Sequence, residues 1–186
     1  MPGTVTNAVK PRYQEASYLK VGEAFELMGT GFQELNEDPG AQTTTKRYIS
    51  DRSSTSSITS YEGEHSFTAD QIVSQAAIKD LIDIGKQRKT GADAERELIR
   101  VDLDDAVASK KNTFKARKFN VAAEISSFSD NDGEWQVEGT LRDKGDPVLG
   151  EFNTQTKTFT ADSELEANIQ TKTFTADSKL EAQEGE

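Results

Sequence analysis

Phe119-Asn120-Val121-Ala122-Ala123-Glu124-Ile125-Ser126, then Ser129-Asp130-Asn131-Asp132-Gly133, then Trp135-Gln136-Val137-Glu138-Gly139-Thr140-Leu141 decide the fold. Phe119, Val121, Ala123 and Ile125 alternate with Asn120, Ala122, Glu124 and Ser126. Period two sends successive side chains to opposite faces, so this is a long strand buried on one side only. Trp135, Val137, Gly139 and Leu141 alternate in the same way, and Gly133 supplies the left-handed position that a tight reversal needs. The two runs are therefore an antiparallel hairpin with one apolar and one polar face.

Strand signals recur on both sides of it. Upstream are Tyr18-Leu19-Lys20-Val21-Gly22, Ala24-Phe25-Glu26-Leu27-Met28, Ser57-Ile58-Thr59-Ser60-Tyr61, His65-Ser66-Phe67 and Glu97-Leu98-Ile99-Arg100-Val101-Asp102-Leu103. Downstream, Asp146-Pro147 interrupts the pattern before a further hairpin over 148–152 and Lys157-Thr158-Phe159-Thr160. One helix is predicted over about 69–89. Thr68 and Gln71 have capping-box spacing, Val73, Ala76, Ala77, Leu81 and Ile84 form an apolar stripe, and Gly91 is placed to close it. The expected class is mainly β, a sandwich or barrel with this helix on one side. Three domain-level segments follow: a flexible arm over 1–17, the β domain over 18–161 with a long polar loop at 36–57, and an extension over 162–186.

That extension contains a duplication. Gln155 to Ala167 reappears as Gln170 to Ala182, with only Glu164 changed, to Lys179. Two copies are too few for a solenoid. Both offer the same residues for one edge position of the sheet; the first is expected to be ordered and about 169–186 to be a tail.

The chain has 186 residues, enough for one domain of ordinary size. Hydrophobic residues are 33% and charged residues 30%, and the mean hydropathy is -0.72, so the core is economical. No apolar run approaches the roughly 20 residues of a membrane-spanning helix, and the first 20 residues lack a secretory pattern. Cysteine is absent and His65 is the single histidine, which removes disulfides, thiolate nucleophiles and sulfur-based zinc sites. Asp130, Asp132 and Gly133 resemble the middle of an EF-hand loop, but Phe128 and Gly139 stand where its end ligands belong, so these residues read as a turn. Gly29-Thr30-Gly31 lacks the third glycine of a dinucleotide loop. His65 reads as an ordinary strand residue, and Asp102, Asp104 and Asp105 as a solvated strand end. Neither a catalytic residue nor a cofactor or metal site is expected.

Net charge is -11, which repels nucleic-acid phosphates. The one basic cluster, Lys110, Lys111, Lys115, Arg117 and Lys118, is either a wet surface or a patch for an acidic face of a second copy. A compact β domain with long polar extensions suits self-assembly, because extensions that order on binding can wrap a neighbour.

The order and spacing of several stretches carry a resemblance. They are Tyr18 to Gly22, Phe25-Glu26-Leu27-Met28-Gly29-Thr30-Gly31-Phe32, Glu37-Asp38-Pro39-Gly40-Ala41-Gln42-Thr43 with Lys46-Arg47-Tyr48-Ile49, Ser57 to Glu62, Ile84-Gly85-Lys86-Gln87-Arg88-Lys89-Thr90-Gly91, Ala116-Arg117-Lys118-Phe119, and Gly145-Asp146-Pro147-Val148-Leu149-Gly150. Together, over about 18–161, the chain resembles the major tail (tail tube) proteins of long flexible-tailed bacteriophages of Gram-positive bacteria. The resemblance implies a virion protein assembled in the host cytoplasm, whose hexameric rings stack into a hollow tube for DNA. It implies contacts with itself and with other tail proteins (tape measure, terminator, tail tip), with double-stranded DNA passing unbound and no membrane partner. It assigns Pro39, Gly40, Thr43, Lys46, Arg47, Tyr48 and Ile49 to an inter-subunit loop. Glu124, Glu138 and Thr140, on polar strand faces, are the lumen candidates, since a carboxylate lining lets phosphate slide. The alternative is a β-sandwich binding module that does not polymerise, or another tail component such as a terminator, baseplate hub or tail-tip domain. The second repeat departs from the family pattern.

Overall fold

The computed structural model describes residues 9–163. They divide into two compact units. The larger comprises Ser17–Ile99 and Phe119–Pro147; the smaller takes in Arg100–Lys118, the chain before Ser17 and the chain from Val148 onward.

The strands are β1 (Glu15–Val21), β2 (Ala24–Leu27), β3 (Phe32–Asp38), β4 (Ala41–Lys46), β5 (Thr55–Tyr61), β6 (Glu64–Asp70), β7 (Glu95–Ala106), β8 (Thr113–Asn131), β9 (Glu134–Asp143), β10 (Val148–Asn153) and β11 (Thr158–Ala161). The helix, α1, is Ala76–Gln87. β7 and β8 contribute residues to both units.

In the larger unit the sheet order is β2-β1-β7-β8-β9-β6-β3. The deciding hairpin is present: β8 and β9 pair antiparallel from Val121↔Asp143 to Asn131↔Glu134. Asp132 and Gly133 both take left-handed φ, 52° and 89°, at its reversal. One face of the sheet buries Leu19, Leu35, Phe67, Ala69, Leu98, Val121, Val137 and Leu141 in the same cluster as Ala77, Ile78, Leu81 and Ile84 of α1. Each fully buried Leu or Ile is worth about 1.5–3 kcal/mol of transfer free energy, so this cluster is the main favourable term. A Cβ at Gly85 would stand 2.8 Å from Ile125 Cγ2 and from Phe128 Cζ, so glycine is what lets the helix seat on β8. Among the described residues the chain thus forms a mainly β architecture with a large antiparallel sheet and one α-helix.

Four features differ from the sequence reading. The helix starts at Ala76, not 69, because Phe67 and Ala69 alternate into the core and β6 pairs with β3 on one side and β9 on the other. Thr68 is a strand residue and the capping-box spacing is incidental. At the other end Arg88, at φ 51°, closes the helix through Arg88 N–H to Gly85 O and Lys89 N–H to Ile84 O, the pairing that Gly91 was expected to provide. The polar loop at 36–57 is largely a ribbon: β3 runs to Asp38, and β4 and β5 form a separate two-stranded sheet. Threonine supplies the strand tendency there without any apolar face. The arm at 1–17 gives way to strand at Glu15, because Ser17, Tyr18 and Leu19 are buried.

In the smaller unit β10 pairs antiparallel with β8, from Val148↔Lys118 to Asn153↔Thr113, and with β11, from Gly150↔Ala161 to Asn153↔Thr158. Phe152 is fully buried. Arg100, also buried, donates from Nε to Glu15 Oε1 at 2.5 Å. The expected tail at about 169–186 lies outside the described residues.

Candidate assembly surfaces

Because side chains alternate along a strand, the sheet face turned away from the core is set by register. Glu124 lies opposite Thr140, Thr140 opposite Ser66, and Ser66 opposite Asn36, so one rung crosses four strands. The neighbouring rungs carry Glu138, Thr68 and Glu34 on one side and Arg142, Glu64 and Asp38 on the other. The structure therefore brings the three lumen candidates, Glu124, Glu138 and Thr140, onto a single face. On these rungs Glu34, Asp38, Glu64, Glu124 and Glu138 stand against one cation, Arg142. That cation bridges two of them: Nε donates to Glu124 Oε2 at 2.6 Å and Nη1 to Glu64 Oε2 at 2.7 Å. Glu124, followed by Glu64, holds the guanidinium even further above its usual range. Glu138 accepts from Ser129 Oγ at 2.7 Å. The face is net acidic, and the alternation had placed Glu124, Glu138 and Thr140 on polar strand faces; Arg142 and its partners depend on cross-strand register and were not anticipated.

The second surface is the ribbon. β3 and β6 end their pairing at Asp38↔Glu64, and β4 and β5 begin theirs at Ala41↔Tyr61. Between these rungs lie Pro39-Gly40 and Glu62-Gly63, so the ribbon continues the ladder past an interruption. Gly40 is obligatory: its φ is 62°, and a Cβ there would come within 2.0 Å of Glu62 O. Its carbonyl accepts from Glu62 N–H at 3.0 Å, and its own N–H donates to Asp38 Oδ1 at 2.9 Å. Beyond it Thr43 pairs with Ile58 next to a bulge, and Lys46 with Thr55. The connection is a turn in which Asp51 N–H reaches Tyr48 O at 3.0 Å and Arg47 Nε reaches Asp51 O at 3.3 Å. All seven expected loop residues thus sit on one projecting arm, about 20 Å long at roughly 3.3 Å per residue. Every residue of β5 is exposed. Tyr48 is 65% exposed and Ile49 fully so. Ile58 and Tyr61, also exposed on this arm, were not among the candidates; large apolar residues in a Ser/Thr strand were their signal.

The basic cluster is partly spent within the smaller unit. Lys110 Nζ contacts Glu151 Oε2 at 2.5 Å, Lys115 Nζ lies 3.7 Å from Glu151 Oε1 and 3.5 Å from Asp162 Oδ1, and Lys118 stands 5.5 Å over the Phe159 ring. Asp102 and Asp104 both contact Lys10 Nζ, at 2.6 and 2.7 Å.

His65 is fully buried, edge-on to Phe119 with centroids 4.8 Å apart, and its Nε2 is 3.2 Å from Asp143 Oδ1. It lies in the larger unit's interior, as a strand residue would. Among the described residues no group of three or more His, Cys, Asp or Glu is placed to hold a metal, and no helix is long and apolar enough to cross a membrane.

No family model matches the chain, and no curated protein does. Among solved structures it is similar to a chain in the cryo-EM structure of the anti-feeding prophage (AFP) baseplate, 6-fold symmetrised. That match has 8% sequence identity and a TM-score of 0.49, and covers 77% of this chain and 95% of that one.

Proposed function

We propose that this protein is a structural subunit of a phage-type tail tube, which associates with copies of itself into rings that stack around a DNA channel. The observation that carries this reading is the β4–β5 ribbon. A two-stranded ribbon alone is marginal in water, yet this one exposes Tyr48, Ile49, Ile58 and Tyr61 on a strand pair and its connecting turn that have no other partner strand among the described residues. Such an arm gains stability by laying its apolar side chains and open strand edges against another molecule. The sequence resemblance assigns two of these four, Tyr48 and Ile49, to an inter-subunit loop. The carboxylate face supplies the second half of the reading: as the channel lining it repels phosphate, so DNA slides without a holding contact.

Negative-stain microscopy of concentrated protein tests this. The wild type is expected to form rings or tubes. Tyr48→Ser with Ile49→Ser is expected to stay monomeric while melting at the wild-type temperature, since exposed substitutions change stability by less than about 0.5 kcal/mol. Wild-type protein that stays monomeric at high concentration, with other tail components supplied, would overturn the proposal in favour of a non-polymerising binding module.

A further inference from the structure

The duplication is longer than its most obvious stretch. Residues 153–167 and 168–182 are tandem 15-residue units that differ only at Thr154/Ile169 and Glu164/Lys179. The first unit contains β11 and the turn that delivers it. Asn153 Oδ1 accepts from Gln155 N–H at 3.0 Å and from Thr156 N–H at 2.9 Å, forming that turn. β11 then lies along β10 with Phe159 opposite Phe152. The Phe159 ring sits over Gly150, where a Cβ would be 2.6 Å from its Cζ, and under the Lys118 ammonium. A strand glycine covered by a cross-strand ring is a device that pins register. Every side chain β11 uses here has an identical counterpart in the second unit: Lys172, Thr173, Phe174, Thr175 and Ala176 repeat Lys157 to Ala161, and Asn168-x-Gln170-Thr171 repeats the turn spacing.

We propose that the outer edge of β10 is a strand-acceptor site with two occupants from the same chain, β11 itself and the segment 173–176. The two segments carry identical side chains, so the connecting loop decides between them. It runs over 154–157 for the first occupant and 154–172 for the second, four residues against nineteen. Loop-closure entropy growing as three-halves of the logarithm of length disfavours the second about ten-fold. β11 therefore holds the site in most molecules and the second copy in about one in ten; a switch between them pays out 15 residues on one side of the site. This inference is independent of the tail-tube reading.

Amide exchange in the monomeric full chain tests it. Phe159→Ala weakens the first occupant only, so protection of the β10 amides facing the edge is expected to fall by no more than about ten-fold. Phe159→Ala with Phe174→Ala is expected to lower it by at least a further ten-fold, and Phe174→Ala alone to leave it unchanged. If Phe159→Ala and the double variant lose the same protection, the proposal fails. Because the chain has no cysteine, paired substitutions give a second readout. Glu151↔Thr160 is a rung of the ladder, so Glu151→Cys with Thr160→Cys is the reference and Glu151→Cys with Thr175→Cys the test. Both are expected to cross-link within one chain, the second about ten-fold more slowly. A reference pair that closes beside a test pair that does not, or that closes only between chains, overturns the proposal; if neither closes, the exchange result decides.

Discussion

β5 and β6 are consecutive seven-residue strands separated only by Glu62-Gly63, yet they have opposite fates. β6 buries His65, Phe67 and Ala69 on alternate positions and is hydrogen-bonded on both edges. β5 buries nothing and, among the described residues, pairs only with β4. Backbone pairing is therefore common to both, and burial is what separates a strand that belongs to the core from one that projects out of it. A strand built from Ser and Thr satisfies its backbone along one edge but acquires little transfer free energy, and in the proposed assembly the remainder comes from a second molecule.

Truncation at matched positions exposes the contrast most strongly. Phe67→Ala removes a ring that packs on Gly139 and meets Phe32 edge-on at 6.3 Å, and is expected to cost about 3–5 kcal/mol in urea unfolding. Ile58→Ala on β5 is expected to change the monomer by less than about 0.5 kcal/mol. Equal effects would mean that the ribbon shares the core's packing.

The junction comes next. Gly40→Ala places a Cβ against Glu62 O in a left-handed conformation, at a local cost of about 2 kcal/mol. Amide protection along β4–β5 is expected to drop while β6 and β9 keep theirs. Loss of protection in β6 as well would show that ribbon and sheet open as one unit.

The carboxylate face sharpens the comparison differently, because its effect is on function more than on folding. Glu124→Lys with Glu138→Lys is expected to alter monomer stability by less than about 1 kcal/mol, as exposed charges usually do. Genome delivery by particles carrying it is expected to slow, with added salt restoring part of the rate. Normal delivery would remove this face from the channel.

The smallest effect concerns Lys10. Its hydrogen bond holds the Asp104 carboxyl below its ordinary value of 3.8. A folded value below the unfolded one means that the contact contributes fully above the unfolded carboxyl's range and is lost as pH falls through the folded one. Lys10→Ala is expected to move the Asp104 titration, followed by NMR, back up toward 3.8; an unchanged titration would show that this contact does not form in solution.

The β8–β9 hairpin was legible from residues alone, because period-two alternation over both runs admits one pairing face. That Glu124, Glu138 and Thr140 lie on the polar face followed from the same alternation. Arg142 did not, since which carboxylates it bridges depends on how β6 and β8 align with β9. The helix start was misread because Thr68 and Gln71 satisfy a local capping pattern, whereas burial of Phe67 and Ala69 between two neighbouring strands, a tertiary effect, determines the outcome. β4 looked like loop because hydrophobic alternation is the usual strand signal and it has none, whereas Ser57 to Tyr61 on β5 read as strand; the threonines and the Pro39-Gly40 junction were the available clues for β4.

Cryo-EM of the material formed by concentrated wild-type protein addresses the central claim most directly. The account predicts a hollow tube in which Glu124, Glu138 and Thr140 face the bore and the arm carrying Tyr48 and Ile49 crosses onto a neighbouring copy. A tube with these three residues on its outer wall, or single particles with no assembly at any concentration, would contradict it.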